Sequence, residues 1–195
     1  MDPNISRRRG RVFTFVAAVA LIPAATRAAE DSGHQDIPAG HLYFGLSSEF
    51  VQPFGRALIS RKPLGTGRGG GFSLHYEVEH FLIAAEISGG KFAHEDTYSN
   101  PFMIAVRAGP VFGSGAYAPY LAVGPALLAY GAVGDDAAVA KGITGEAGVL
   151  LFRQMRWFRA TAFLQYNLPL SSDTGKGVEN VKSLSWAALG LRLQI

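Results

Sequence analysis

From Gly40 onward the chain alternates with a period of two residues rather than 3.6, in eight successive segments. In the first, Leu42, Phe44, Leu46 and Phe50 share one parity, and His41, Tyr43, Gly45, Ser47 and Glu49 share the other. The second sets Phe72, Leu74, Tyr76 and Val78 against Ser73, His75, Glu77 and Glu79, and the third sets Phe81, Ile83, Ala85 and Ile87 against Leu82, Ala84, Glu86 and Ser88. The fourth sets Phe102, Ile104, Val106 and Ala108 against Met103, Ala105, Arg107 and Gly109. In the fifth and sixth the apolar parity runs Leu121, Val123, Pro125, Leu127 and then Ile143, Ala147, Val149, Leu151, with Ala and Gly blurring the contrast. The seventh and eighth are clean: Phe158 to Leu168 against Arg159, Thr161, Phe163, Gln165 and Asn167, then Ala187 to Ile195 against Trp186, Ala188, Gly190, Arg192 and Gln194.

One face of every segment is therefore apolar, and the other carries small residues with isolated charges. A soluble sandwich also alternates, so the connections decide. They are long at Gln52 to Gly70, minimal at Glu79-His80, and long at Lys91 to Pro101. They continue short at Gly113 to Ala118, long at Gly131 to Gly142, short at Arg153 to Arg156, and long at Pro169 to Lys182. Strict alternation of long loops and tight turns is the pattern of an up-and-down antiparallel barrel spanning an outer membrane. Tilted strands of nine to eleven residues cross the hydrocarbon, and closure pairs every backbone N–H and C=O without water. Pro125 has no N–H to give to a ladder, so it predicts a local bulge or a break in pairing.

The N-terminus reads differently. Arg7, Arg8, Arg9 and Arg11 precede an apolar stretch from Val12 to Ala25, and Thr26-Arg27-Ala28 offers small residues at a cleavage site. This is the layout of a secretory signal peptide over 1–28, followed by a polar periplasmic lead-in over 29–39 and the barrel over 40–195. The segment 1–28 holds five of the 18 Lys and Arg and one of the 15 Asp and Glu, leaving 13 and 14, a net charge of −1. No basic stripe remains to suggest nucleic acid. The absence of Cys excludes disulfides, thiol nucleophiles and thiolate metal sites.

Laid out this way, the chain resembles the small eight-stranded outer-membrane barrels of Gram-negative bacteria, the OmpA/OmpX-like group. The phrases that carry the likeness are Val106-Arg107-Ala108-Gly109-Pro110, Pro119 to Pro125, and the ending Ala188 to Ile195. The resemblance implies a C-terminal signal read by the barrel-assembly machinery. Gly190 stands at its Gly position, and Leu193 and Ile195 stand where the family carries aromatics. It also implies contact with outer-membrane lipid and lipopolysaccharide, and four loops displayed outside for a ligand that the sequence does not name.

Chemistry is sparse. Ser73-x-His75-x-Glu77 puts a nucleophile, a base and a carboxylate on one face of a strand. Its parity sends that row into the lumen, away from any lipid substrate, and the His-x-Ser-Asn motif associated with lipid A deacylases is missing, so lumen filling is the better reading. The histidines have no metal-ligand spacing, and His94-Glu95-Asp96 reads as a solvated loop. The tract Gly65 to Gly71 lacks the Lys-Ser/Thr ending of a phosphate cradle and reads as loop. Neither a catalytic residue nor a cofactor or metal is assigned.

Eight charges fall on the inward parity: Glu49, Glu77, Glu79, Glu86, Arg107, Glu146, Arg159 and Arg192. Charges in a narrow interior must pair or be hydrated. They are read as an ion-pair network that plugs the lumen. Glu86 should meet Arg107, and Arg159 and Arg192 should lie near Glu77 and Glu79. The function that follows is a non-enzymatic outer-membrane scaffold with a structural or interaction role. A narrow pore for small solutes is the first alternative and a lipid A-modifying hydrolase the second. A soluble lipocalin-like barrel would need the opposite facing.

Overall fold

The computed structural model describes residues 40–54, 65–78, 80–92, 100–131, 138–173 and 185–195. The expected signal peptide and lead-in, Glu79 and the His94-Glu95-Asp96 group lie outside them. Eight strands, β1 (His41–Pro53), β2 (Gly67–Val78), β3 (Phe81–Lys91), β4 (Asn100–Pro110), β5 (Tyr117–Gly131), β6 (Ala138–Leu151), β7 (Arg159–Asp173) and β8 (Trp186–Gln194), pair in chain order. Every pairing is antiparallel, and β1 pairs with β8 to close the barrel. Both partners of each strand are thus in the same sheet, and no edge is left to recruit another chain.

Facing follows the period of two. Leu46, Phe72, Ile83, Val106, Val123, Ile143 and Leu191 are exposed on the outside. Ser73, Glu86, Arg107, Thr144, Glu146, Gln165 and Arg192 are buried inside. The barrel is therefore inverted relative to a soluble protein, with its apolar belt outward and its charges inward. Phe112 and Trp157 are exposed in the short turns at one end, while Phe50 lies toward the long-loop end of β1. Phe72 pairs with Leu46 and Ile87 in the middle of the wall.

Several strands run further than the pattern suggested. Gly67 to Gly71, read as loop, belongs to β2: Gly67 pairs with Val51 of β1, and Arg68 to Gly71 pair with Lys91 to Ser88 of β3. A side chain at Gly67 would strike the Lys91 carbonyl oxygen at 1.8 Å, so the missing Cβ is what lets β2 and β3 close at this end. Strand β6 starts at Ala138 and β7 runs to Asp173, which takes residues from the two loops drawn there. An extra residue on β7 between Pro169 and Ser171 faces the Lys141–Gly142 step and makes a bulge. At Pro125 the β5–β6 register is continuous, but the β4–β5 register lapses between Ala105↔Ala126 and Ala108↔Val123. The prolyl nitrogen explains the lapse, having no hydrogen to donate. Beside it the backbones are close: a Cβ at Gly124 would lie 1.9 Å from the Val106 carbonyl oxygen.

Candidate functional site

The barrel interior is filled in layers. Toward the long-loop end, Val51, Phe92, Met103, Leu128, Tyr130 and Trp186 pack as an apolar cluster. Tyr130 and Trp186 meet edge to face with centroids 5.5 Å apart. Toward the short-turn end, Leu82, Val111, Ala118, Ala122 and Leu150 form a second cluster. The charges lie between and beside these two plugs.

Two arginines and two glutamates make a closed four-membered ring in the middle layer. Arg107 contacts Glu86 on the neighbouring strand and Glu146 of β6 at 2.9 Å. Arg192 reaches the same two carboxylates from β8, at 2.5 Å to Glu86 and 3.0 Å to Glu146. Glu86 and Arg107 are diagonal neighbours, since their direct partners are Ala105 and Ala84. Tyr120 donates its hydroxyl hydrogen to Glu146 at 2.5 Å, and Arg107 donates to the Thr144 hydroxyl at 3.4 Å. The Arg192 guanidinium also lies 4.3 Å from the centre of the Phe163 ring. All four charged side chains are at most 1% exposed. The ring is electrically neutral, so each ion has a compensating partner in a poorly solvated space.

A second group closes the short-turn end. Glu77 is gripped by Arg159 on one oxygen and by Arg153 at 2.5 Å on the other. Arg159 also donates to the Gln194 side-chain oxygen at 2.9 Å, which Thr161 shares at 2.8 Å. The Arg159 guanidinium lies 3.7 Å from the centre of the Tyr43 ring.

Two charges depart from the sequence reading. Arg192 does not join Glu77. Its side chain passes over Gly45, where a Cβ would lie 3.0 Å from Arg192 Cδ, and crosses the narrow interior to β3 and β6. Glu49, expected in the ion-pair network, has no cation partner among the described residues. It takes a hydrogen bond from Ser47 at 2.7 Å, and its cross-strand neighbours are Gly69 and Gly190.

Arg153 escaped the sequence reading because it lies in the tight turn after β6. Its parity was therefore undefined. Phe152 takes a left-handed backbone conformation there, with φ of 60°. The chain then turns Arg153 back into the lumen, where it also donates to the Gly113 carbonyl of the adjacent turn. Tyr120 and Thr144 carried no charge and were missed for that reason.

Ser73, His75 and Glu77 all face inward, yet they form no relay. Both His75 nitrogens and the Ser73 hydroxyl lack protein hydrogen-bond partners, and Glu77 is committed to two arginines. Gly190 packs beneath Phe163 and Glu49, where a Cβ would lie 2.6 Å from Phe163 Cζ. Leu193 and Ile195 face outward and are exposed.

No protein-family model matches the chain, and no curated protein matches it in sequence. Solved structures do match in fold. Neisserial surface protein A superposes with a TM-score of 0.63 at 16% identity, covering 79% of this chain and 96% of that one. The N-terminal β-barrel domain of Pseudomonas aeruginosa OprF superposes with a TM-score of 0.50 at 17% identity, covering 80% and 99%. The fold is that of the small eight-stranded outer-membrane barrels.

Proposed function

We propose that the chain is a non-enzymatic outer-membrane scaffold of a Gram-negative bacterium, with a plugged lumen and four connections displayed outside. In this reading residues 1–28 are a cleaved signal peptide, 29–39 a periplasmic lead-in and 40–195 the barrel. Gly190, Leu193 and Ile195 supply the signal for the barrel-assembly machinery. The outward apolar belt meets lipid and lipopolysaccharide.

The observation that carries the proposal is the neutral ring of Glu86, Arg107, Glu146 and Arg192, whose side chains span the interior from β3 to β8. Eight strands leave an interior that side chains can fill. A cross-linked ring with apolar clusters beside it blocks a continuous water path. This favours the scaffold over the narrow pore. The engagement of Glu77 by Arg153 and Arg159 favours it over a hydrolase, because the carboxylate in the Ser73-His75-Glu77 row is committed to two arginines and does not orient His75.

The test is electrical. Purified chain inserted in a planar lipid bilayer should give no unitary conductance steps. Arg192→Ala combined with Glu146→Ala should open a measurable leak. Regular steps from the wild-type chain would replace the scaffold with the pore.

A further inference from the structure

The outer wall carries a feature that the plugged interior does not use. At the long-loop end of β2 and β3, Arg68 and Lys91 are direct cross-strand partners, and both side chains point outward and are exposed. Like charges directly opposite one another repel. Among the described residues neither has an ion-pair partner, and no carboxylate stands on an outward position of β1 to β4. Phe50 flanks Arg68 on β1, its ring centre 5.8 Å from the guanidinium carbon.

One step toward the barrel middle, the outward row is Ser48, Gly70 and Gly89, almost bare of side chains. Below that comes the shelf of Leu46, Phe72 and Ile87. An apolar depression of about 360 Å³ continues from there, walled by Phe72, Leu74, Ile87, Ile104 and Val106, with the small Ala85 among its lining residues. Cation pair, bare strip and apolar trough thus lie in line down one wall.

We propose that this wall binds one lipid carrying a headgroup phosphate, a site that rests on the membrane-embedded reading. The phosphate sits between Arg68 and Lys91 and relieves their repulsion. The headgroup body lies flat on the Ser48, Gly70 and Gly89 strip, where side chains would lift it away. An acyl chain follows the trough past Ala85. The sequence of chemistry down the wall, charge then flat surface then hydrocarbon, matches the order of groups in such a lipid and no soluble anion.

The test uses the full chain in phosphatidylcholine nanodiscs doped with a low fraction of lipid A and read by native mass spectrometry. Wild type should retain one lipid A, and dephosphorylated lipid A should be retained far less. Arg68→Gln with Lys91→Gln should weaken retention about tenfold or more. Gly89→Val should weaken it without changing charge. A Cβ at Gly89 meets Phe102 Cδ2 and the Pro101 carbonyl oxygen only at 3.5 Å, so this variant should fold. Heat-modifiable gel mobility confirms folding of each variant. Equal retention of the dephosphorylated lipid, or retention unchanged in both variants, overturns the site. Displacement by inorganic phosphate at matched concentration overturns its lipid specificity. A chain that folds but never enters the nanodisc overturns the membrane reading itself, and is distinguished by the absence of any protein–nanodisc complex.

Discussion

Replacing Arg192 by Met probes the ring at the member that also stacks on an aromatic side chain. Arg192 is fully buried, contacts both Glu86 and Glu146, and stacks on Phe163. Its removal leaves two carboxylates sharing Arg107 alone, so the middle layer goes from neutral to a net charge of −1. Breaking a buried ion pair from one side costs about 3–5 kcal/mol, and the lost ring contact adds about 1 kcal/mol. Arg107→Met removes the same two carboxylate contacts but no aromatic one, and should cost less than Arg192→Met. The informative control is Arg192→Met combined with Glu146→Gln. It restores neutrality and leaves the Arg107–Glu86 pair intact, so more than half of the loss should return. Urea unfolding of vesicle-inserted protein reads these differences through Trp186, which packs in the apolar cluster above the ring. Against a total stability of about 5–15 kcal/mol, such a shift is large. An unchanged midpoint for Arg192→Met, or a double variant no better than the single, would mean that water reaches the ring and screens it. The plugged interior would then be wrong.

Other positions give independent checks. Gly124→Ala places a Cβ 1.9 Å from the Val106 carbonyl oxygen and should destabilise by about 2 kcal/mol or more, whereas Gly145→Ala meets nothing within 4 Å and should be neutral or slightly stabilising. Paired urea melts compare the two directly. Leu191→Arg on the outward face of β8 should cost about 2–4 kcal/mol in vesicles if that position lies near mid-membrane. Arg153→Gln leaves Glu77 with Arg159 only and frees the Gly113 carbonyl. Hydrogen exchange should then rise in the 112–116 and 152–158 turns ahead of the strands.

The barrel was legible in the chain because a strand buried on one face writes its facing directly into alternate residues, and because loop length alternates independently of that pattern. Glu86, Arg107, Glu146 and Arg159 were legible as inward charges for the same reason. Their partners were less so. Parity says which side a residue faces, but not how far a long side chain reaches, and Arg192 reaches across the interior rather than down its own side. Arg153 sits in a turn, where parity has no meaning, and only the left-handed step at Phe152 brings it inward. The Gly67 to Gly71 tract misled because glycine usually interrupts strands, whereas here it lets two backbones close. The apolar plugs were hidden too: Val51, Leu82, Met103 and Leu128 lie on the inward parity, which charges and small residues had marked as polar.

Adjacent residues of β7 face opposite sides of the barrel wall. Leu164 points to the outside and Gln165 is buried within the lumen. Because the chain has no Cys, single replacements at each position report without background. In phospholipid vesicles a fluorophore on Leu164→Cys should be quenched by lipids brominated along their acyl chains, and Gln165→Cys should resist a water-soluble maleimide until the protein is unfolded. Rapid aqueous labelling at 164, or acyl-chain quenching of a probe at 165, would contradict both the facing of the wall and the closure of the lumen.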